Sequence, residues 1–345
     1  MVQGVSDSFR ATIVSLGQYL LSNKDSLMQM VTKQHKDDLP QNVSIIKMAR
    51  NYAEDLLEEE PDPATPATVQ ARAKRTAFGI AERSNKLERW KNHKRAGLFP
   101  KELEKPYIDK EESFKWLKKG KLGYENEKII LAAQDQGLMT NGFKKMAKIS
   151  QNDQCRFCHA AVESTSHLVS ACQIMLADGH YTARHNKVCR YIHWAICNHY
   201  KIDTQPVWLH EPQPTTATED ITIFYDKAML PGRYIEGKAI KPDIVIWDKR
   251  NKEAKIIEVS VPNDFGLNRA ERHKVNKYQD LKNDLRQTLQ LETIDIIPVI
   301  VGATGLIKTN LKTYLKDIPG SPSAEEIQMC AITGTVSIIK RALSH

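Results

Sequence analysis

The sequence predicts a mixed α/β domain on its C-terminal side, preceded by a mostly helical region that carries a Cys-Cys-His-Cys zinc knuckle. Three observations predict this. Apolar residues recur at helical spacing through much of the first 200 residues. Short β-branched runs appear only from about residue 221. Three cysteines and a suitably spaced histidine, His167, gather between residues 155 and 172.

Residues 1–60 read as helices, with apolar spacing in FRATIVSLGQYLL and again in VSIIKMARNYAEDLL. A linker is expected over 61–75, because EEEPDPATPATVQ (58–70) holds three prolines and no apolar period. Residues 76–150 form a basic helical region. Within it NEKIILAAQDQGLMTNGFKKMAKI (126–149) is amphipathic and is expected to break at Gly137 and Gly142. Residues 151–200 hold the cysteine cluster and a helix over 182–200, TARHNKVCRYIHWAICNHY. A second polar, proline-containing linker covers 201–220. The α/β domain then spans 221–345. Its strands are ITIFY (221–225), DIVIW (243–247), KIIEVSV (255–261) and IDIIPVIVG (294–302). One long polar helix, LNRAERHKVNKYQDLKNDLRQTL, separates the last two, and helices near 305–316 and 323–343 follow. Strands with a helical crossover imply a mixed sheet in an α/β sandwich.

A chain of 345 residues is long enough for two or three domains. No run approaches the ~18 consecutive apolar residues of a membrane helix, and the first residues show neither a basic n-region nor a cleavage site. A soluble, intracellular protein with no membrane partner is expected. The formal net charge of +8 points to a polyanionic partner, nucleic acid before an acidic membrane surface. Lys and Arg concentrate over 73–120, where they alternate with Trp90, Phe99, Tyr107, Phe114 and Trp116. Cations beside stacking rings suit a nucleic-acid chain; the alternative is a solvated helix face whose rings point inward.

The spacing Cys155-x2-Cys158-x8-His167-x4-Cys172 supplies four N/S ligands with no vacant position, the pattern of a structural tetrahedral zinc. Two cysteines two residues apart fit one tight turn. The neighbouring His159, His180, His185 and His193 are read as surface or phosphate-contacting groups, and Cys189, Cys197 and Cys330 as ordinary buried thiols. Arg184, His185 and Asn186 open the next helix and are read as phosphate or base contacts, with a solvated cap as the alternative.

Lys241-Pro242-Asp243 leads into one strand, and Glu258 lies fifteen residues on, in the next. A tight strand pair, with DKRNKEAK as its turn, brings both carboxylates to one end. With a backbone carbonyl near Val259 they would hold Mg2+, which can orient water and neutralise charge on a phosphate. Glu258 is flanked by Ile256, Ile257, Val259 and Val261, and a carboxylate in an apolar strand is costly unless it binds something. This is the pattern of a PD-(D/E)xK restriction-like endonuclease with one departure: Ser260 occupies the place of the usual lysine. The cation must then come from the following helix, as Lys274 or Lys277, with Tyr278 beside the latter; Arg269 and Arg272 would hold the DNA backbone.

Together these residues resemble the C-terminal part of site-specific non-LTR retrotransposon proteins that carry a restriction-like endonuclease. In that family a Cys-Cys-His-Cys knuckle precedes a K/R-P-D…D/E nuclease whose lysine has moved to the next helix. The matching residues are Cys155, Cys158, His167 and Cys172, then Arg184-His185-Asn186, Lys241-Pro242-Asp243, Glu258 and RHKVNKY (272–278). The stretch GKLGYENEKIILAAQDQGLMT (120–140) is similar to the family's region ahead of the knuckle. The resemblance implies a nuclear, Mg2+-dependent nuclease that nicks target DNA in target-primed reverse transcription, with structural Zn2+ and element RNA as a further partner. It departs in showing no Tyr/Phe-x-Asp-Asp polymerase motif, so the chain looks like the part that follows the reverse transcriptase. The competing expectation is a nucleic-acid-binding fragment or domesticated derivative whose nuclease scaffold is inactive.

Overall fold

The structure, a computed structural model, describes residues 5–57, 64–202, 205–229, 234–235 and 238–344. The chain divides into two compact units, Met1–His93 and Lys94–His345. No described helix is long and apolar enough to cross a membrane.

The first unit is helical: α1 (Val5–Ser22), a short helix Ser26–Lys33, α2 (Ile45–Ala53) and α3 (Ala67–Asn92). Asp25 and Ser44 cap the second helix and α2 by accepting hydrogen bonds from backbone N–H groups one turn in. Ala11, Val14 and Phe78 form its core with Tyr52, Leu56 and Leu57. Gly17 lets α1 and α2 close, since a Cβ there would stand 2.6 Å from that of Ala49. The expected linker over 61–75 is corrected: α3 begins inside it at Ala67, with Pro66 at its N-cap. Residues 61–63 of it lie outside the described residues. The expected basic region over 76–150 is likewise divided, because α3 belongs to the first unit.

The second unit, which opens with α4 (Leu98–Leu103) and α5 (Tyr124–Gln134), is built on a five-stranded sheet. Its strands are β1 (Thr215–Ala217), β2 (Ile221–Tyr225), β5 (Ile244–Asp248), β6 (Glu253–Ser260) and β7 (Thr293–Ile300), in the order β1-β2-β5-β6-β7. A two-stranded ribbon, β3 (Tyr234–Ile235) and β4 (Lys238–Ala239), lies between β2 and β5 in sequence. All neighbours are antiparallel except β6 and β7, which are parallel. A parallel pair needs a crossover, and α7 (Leu267–Lys277) and α8 (Gln279–Thr288) supply it. They were expected as one helix. The break falls at Tyr278 (φ −105°, ψ 8°), whose buried ring packs under the sheet with Leu281 and Leu285.

Strand alternation sorts the core. Ile244, Ile246, Ile257 and Val259 face α6 (His180–His199) and α9 (Ala324–Leu343). Val245, Ile256 and Ile294 face α8. Since α6 shares its Val188, Ile192 and Ile196 with that first layer, residues 151–200 are not a separate module. Phe99 and Trp116 are 1% exposed, so for these two rings the inward reading holds and the stacking one does not. The expected linker over 201–220 contains β1, a polar edge strand paired through its backbone, which apolar periodicity cannot reveal; residues 203–204 lie outside the described residues.

Candidate functional site

The side-chain period of two places the acids. Ile244 pairs with Ile257, so Asp243 and Glu258 stand opposite each other at the next position and share the face that α7 covers. The Asp243 N–H donates to Glu258 Oε1 at 3.0 Å, and Val259 N–H donates to Asp243 Oδ2 at 2.7 Å. The Val259 main chain thus meets Asp243 through its amide rather than its carbonyl. Glu258 is fully buried.

Lys274 closes the pair from α7. Its Nζ lies 2.8 Å from Glu258 Oε2 and 3.4 Å from Asp243 Oδ2. Of the two lysines named from sequence, this one reaches the acids. Lys277 turns to Tyr278, with Nζ 3.1 Å from the phenol oxygen and 4.7 Å from the ring centroid. Tyr278 OH donates to the Lys241 carbonyl at 3.0 Å and so fixes the loop that delivers Asp243. Burial raises the Tyr278 phenol, and the charges of Glu258 and Asp243 raise it further.

A second cation comes from α6. His185 Nε2 lies 3.2 Å from Asp243 Oδ2, and its Nδ1 lies 3.1 Å from Asn186 Oδ1. Two acceptors on two ring nitrogens suit the imidazolium. Burial works against that charge, but the Cys189 and Asp243 contacts outweigh it and raise the pKa. The Cys189 thiol is itself pushed up to about 11 by burial, so it is protonated at neutral pH and the carboxylate is the effective partner. Asp243, despite its burial, is held down at about 2 by His185 and Lys274. Glu258 moves the other way: burial and the Asp243 charge push it up to about 7. Lys274 is raised, the two carboxylates prevailing over burial.

The expected nucleic-acid contacts fare unevenly. Arg184 is corrected: it is 4% exposed and donates to Thr335 Oγ1 and to the Val261 carbonyl, both at 3.0 Å. It fills a space left by Gly334 on α9, where a Cβ would lie 2.5 Å from its Cγ, so it braces the fold and does not reach a phosphate. His185 is turned to Asp243. Asn186, Lys241, Arg269 and Arg272 are exposed. Arg269, His273 and Lys274 line a groove of about 750 Å3 whose other wall is Ser164, Ser166 and Ser170. Nothing local singles out His273, an exposed polar residue among others on α7.

That other wall is the cysteine cluster. Cys155, Cys158, His167 and Cys172 offer ligand atoms within 4.8 Å of one another and can hold a metal ion such as zinc. Cys155 and Cys172 sulfurs are 3.9 Å apart, and Cys158 Sγ is 3.4 Å from His167 Nε2. A tetrahedron with bonds of about 2.3 Å to sulfur and about 2.0 Å to nitrogen asks for about 3.8 and 3.5 Å. The turn forms because Cys155 N–H bonds to the Ala161 carbonyl and His159 takes a left-handed φ of 52°. Ser164 caps the helix Thr165–Ser170 that presents His167. Buried Glu163 grips the Arg156 guanidinium with both oxygens, at 2.7 and 2.9 Å, and accepts from Asn141 N–H at 2.8 Å. Arg156 in turn donates to the Ala342 carbonyl at 2.7 Å, which ties the turn to α9.

Compared with known proteins, the chain matches no family model and no curated protein.

Proposed function

We propose that the second unit is a Mg2+-dependent DNA endonuclease of the restriction-like kind, and that it acts as the nicking component of a non-LTR retrotransposon protein in target-primed reverse transcription. One observation carries this reading: Lys274 Nζ within 2.8 Å of Glu258 and 3.4 Å of Asp243, at one end of a mixed sheet. A lysine displaced to the next helix thereby takes the place that Ser260 leaves empty.

The hard carboxylate oxygens of Asp243 and Glu258 fit Mg2+. When bound, the ion supplies a water of lowered pKa and positive charge beside the scissile phosphate. Glu258 and Asp243 would hold it. Lys274 orients the attacking water and stabilises the charge that builds on the phosphoryl oxygens. His185 steadies Asp243 from the opposite face. Arg269 and His273, with the serines across the groove, grip the sugar-phosphate chain without reading sequence. The zinc cluster holds the far wall of that groove in place.

Supercoiled plasmid incubated with the protein and Mg2+ tests the reading. Relaxation to the nicked circle by the wild type, and its loss in Glu258→Ala, is expected. No nicking across varied DNA targets favours instead a binding module whose scaffold is inactive.

A further inference from the structure

Four residues of α6 recur at intervals of four: His185, Cys189, His193 and Cys197. At that spacing they share one face of the helix. The first two converge on Asp243, in the site above. The second two converge on His210, which sequence periodicity places in a polar linker. His193 Nδ1 lies 2.8 Å from His210 Nε2, and Cys197 Sγ lies 3.6 Å from His193 Nδ1. All three residues are buried, at 1%, 1% and 8% exposure for His193, Cys197 and His210.

We propose that His193, Cys197 and His210 form a second zinc site that clasps the loop around residues 205–214 onto α6. The donor set is soft thiolate plus imidazole, which selects zinc over Mg2+ or Ca2+. Around one tetrahedral zinc, sulfur and nitrogen stand about 3.5 Å apart, close to the distance seen, and two imidazole nitrogens about 3.3 Å. The two rings therefore open by about half an ångström to admit the ion, a movement that falls to His210 on its loop.

The loop supplies the reason for such a clasp. Its large apolar residues do not anchor it: Trp208 is 75% exposed and Leu209 57%. Its other ties are polar, from Trp194 Nε1 to the Gln205 carbonyl (3.1 Å) and from Arg190 to Glu211 (3.0 Å). A segment without apolar anchors, leading into an edge strand, is what a structural zinc stabilises.

The test compares zinc content and melting temperature of the full chain with those of His210→Gln. Gln keeps a hydrogen-bonding partner for His193 but is a poor zinc ligand. After zinc loading and removal of free metal, the wild type is expected to hold one zinc equivalent more than His210→Gln by elemental analysis. Its melting temperature should exceed the variant's in zinc, and the difference should vanish after chelation. Equal zinc content in the two proteins overturns the proposal. As a check that does not need the variant, Co2+ loading of Cys155→Ser/Cys158→Ser should leave a thiolate-to-cobalt band from Cys197. Its absence from folded protein also overturns the proposal.

Discussion

Lys274 and Glu258 meet at 2.8 Å across the α7–β6 interface, and the Glu258 carboxylate is fully buried. Lys277, three residues on, is held by Tyr278 instead. This separates the two lysines by position. Lys274→Ala is expected to slow nicking by about 10²–10³-fold, the usual cost of deleting one electrostatic stabiliser. Lys277→Ala should stay within a few-fold of wild type. Single-turnover rates at saturating protein measure both, and equal losses would show that α7 presents both lysines to the phosphate.

Metal binding should be coupled to protons through Glu258. In the metal-free protein its carboxyl is pushed up to about 7 by burial and by Asp243. Mg2+ must displace that proton, so affinity should fall as pH drops below about 7, approaching tenfold per pH unit. Titration calorimetry in buffers of different ionisation enthalpy reads the released proton directly. The same shift sets a sign for stability. Glu258 has a folded pKa above its ordinary 4.5, so its favourable contribution is complete below 4.5 and is lost as pH rises through about 7. Without metal, Glu258→Gln should therefore melt higher than wild type at pH 8, and the gap should close by pH 5.

Glu163 and Arg156 form the ion pair behind the cysteine turn, with Glu163 fully buried. Removing the carboxylate strands a partly buried guanidinium and the Asn141 N–H. Glu163→Ala should cost about 3–5 kcal/mol of stability in the second unit and weaken zinc retention. Denaturant titration with zinc present measures it; a loss under about 1 kcal/mol would assign the turn's stability to the metal ligands alone.

Arg184 and Arg269 separate folding from binding. Arg184→Ala should destabilise the protein by about 2 kcal/mol or more, through an emptied volume and two lost hydrogen bonds. Arg269→Ala should leave the melting temperature unchanged. It should weaken DNA binding across sequences and reduce the salt slope by about one. Thermal melts and binding isotherms over a salt series check both variants.

The sheet was legible because its strands are β-branched runs with clear ends. Glu258 stood out as an acid among aliphatic neighbours, and the cysteine spacing carried the first metal cluster unaided. What escaped depends on tertiary contact. Which lysine faces the acids is fixed by how Tyr278, Leu281 and Leu285 seat the crossover helices. Arg184 looked like a surface cation, because nothing local reveals that Gly334 on α9 leaves room for it. His210 sits in a polar stretch with no period, so its meeting with His193 is invisible until the loop folds back. The edge strand β1 is similarly hidden, since Thr-Thr-Ala carries no apolar alternation.

The most direct measurement follows binding and cleavage of one labelled duplex together, with Mg2+ or with chelator, for wild type and Asp243→Ala. The expected result is metal-dependent nicking by the wild type. Asp243→Ala should bind within about threefold of wild type but cut at least about 10²-fold more slowly. Equal cutting by the two proteins, or wild-type cutting that persists in chelator, would contradict a metal centre built on Asp243 and Glu258.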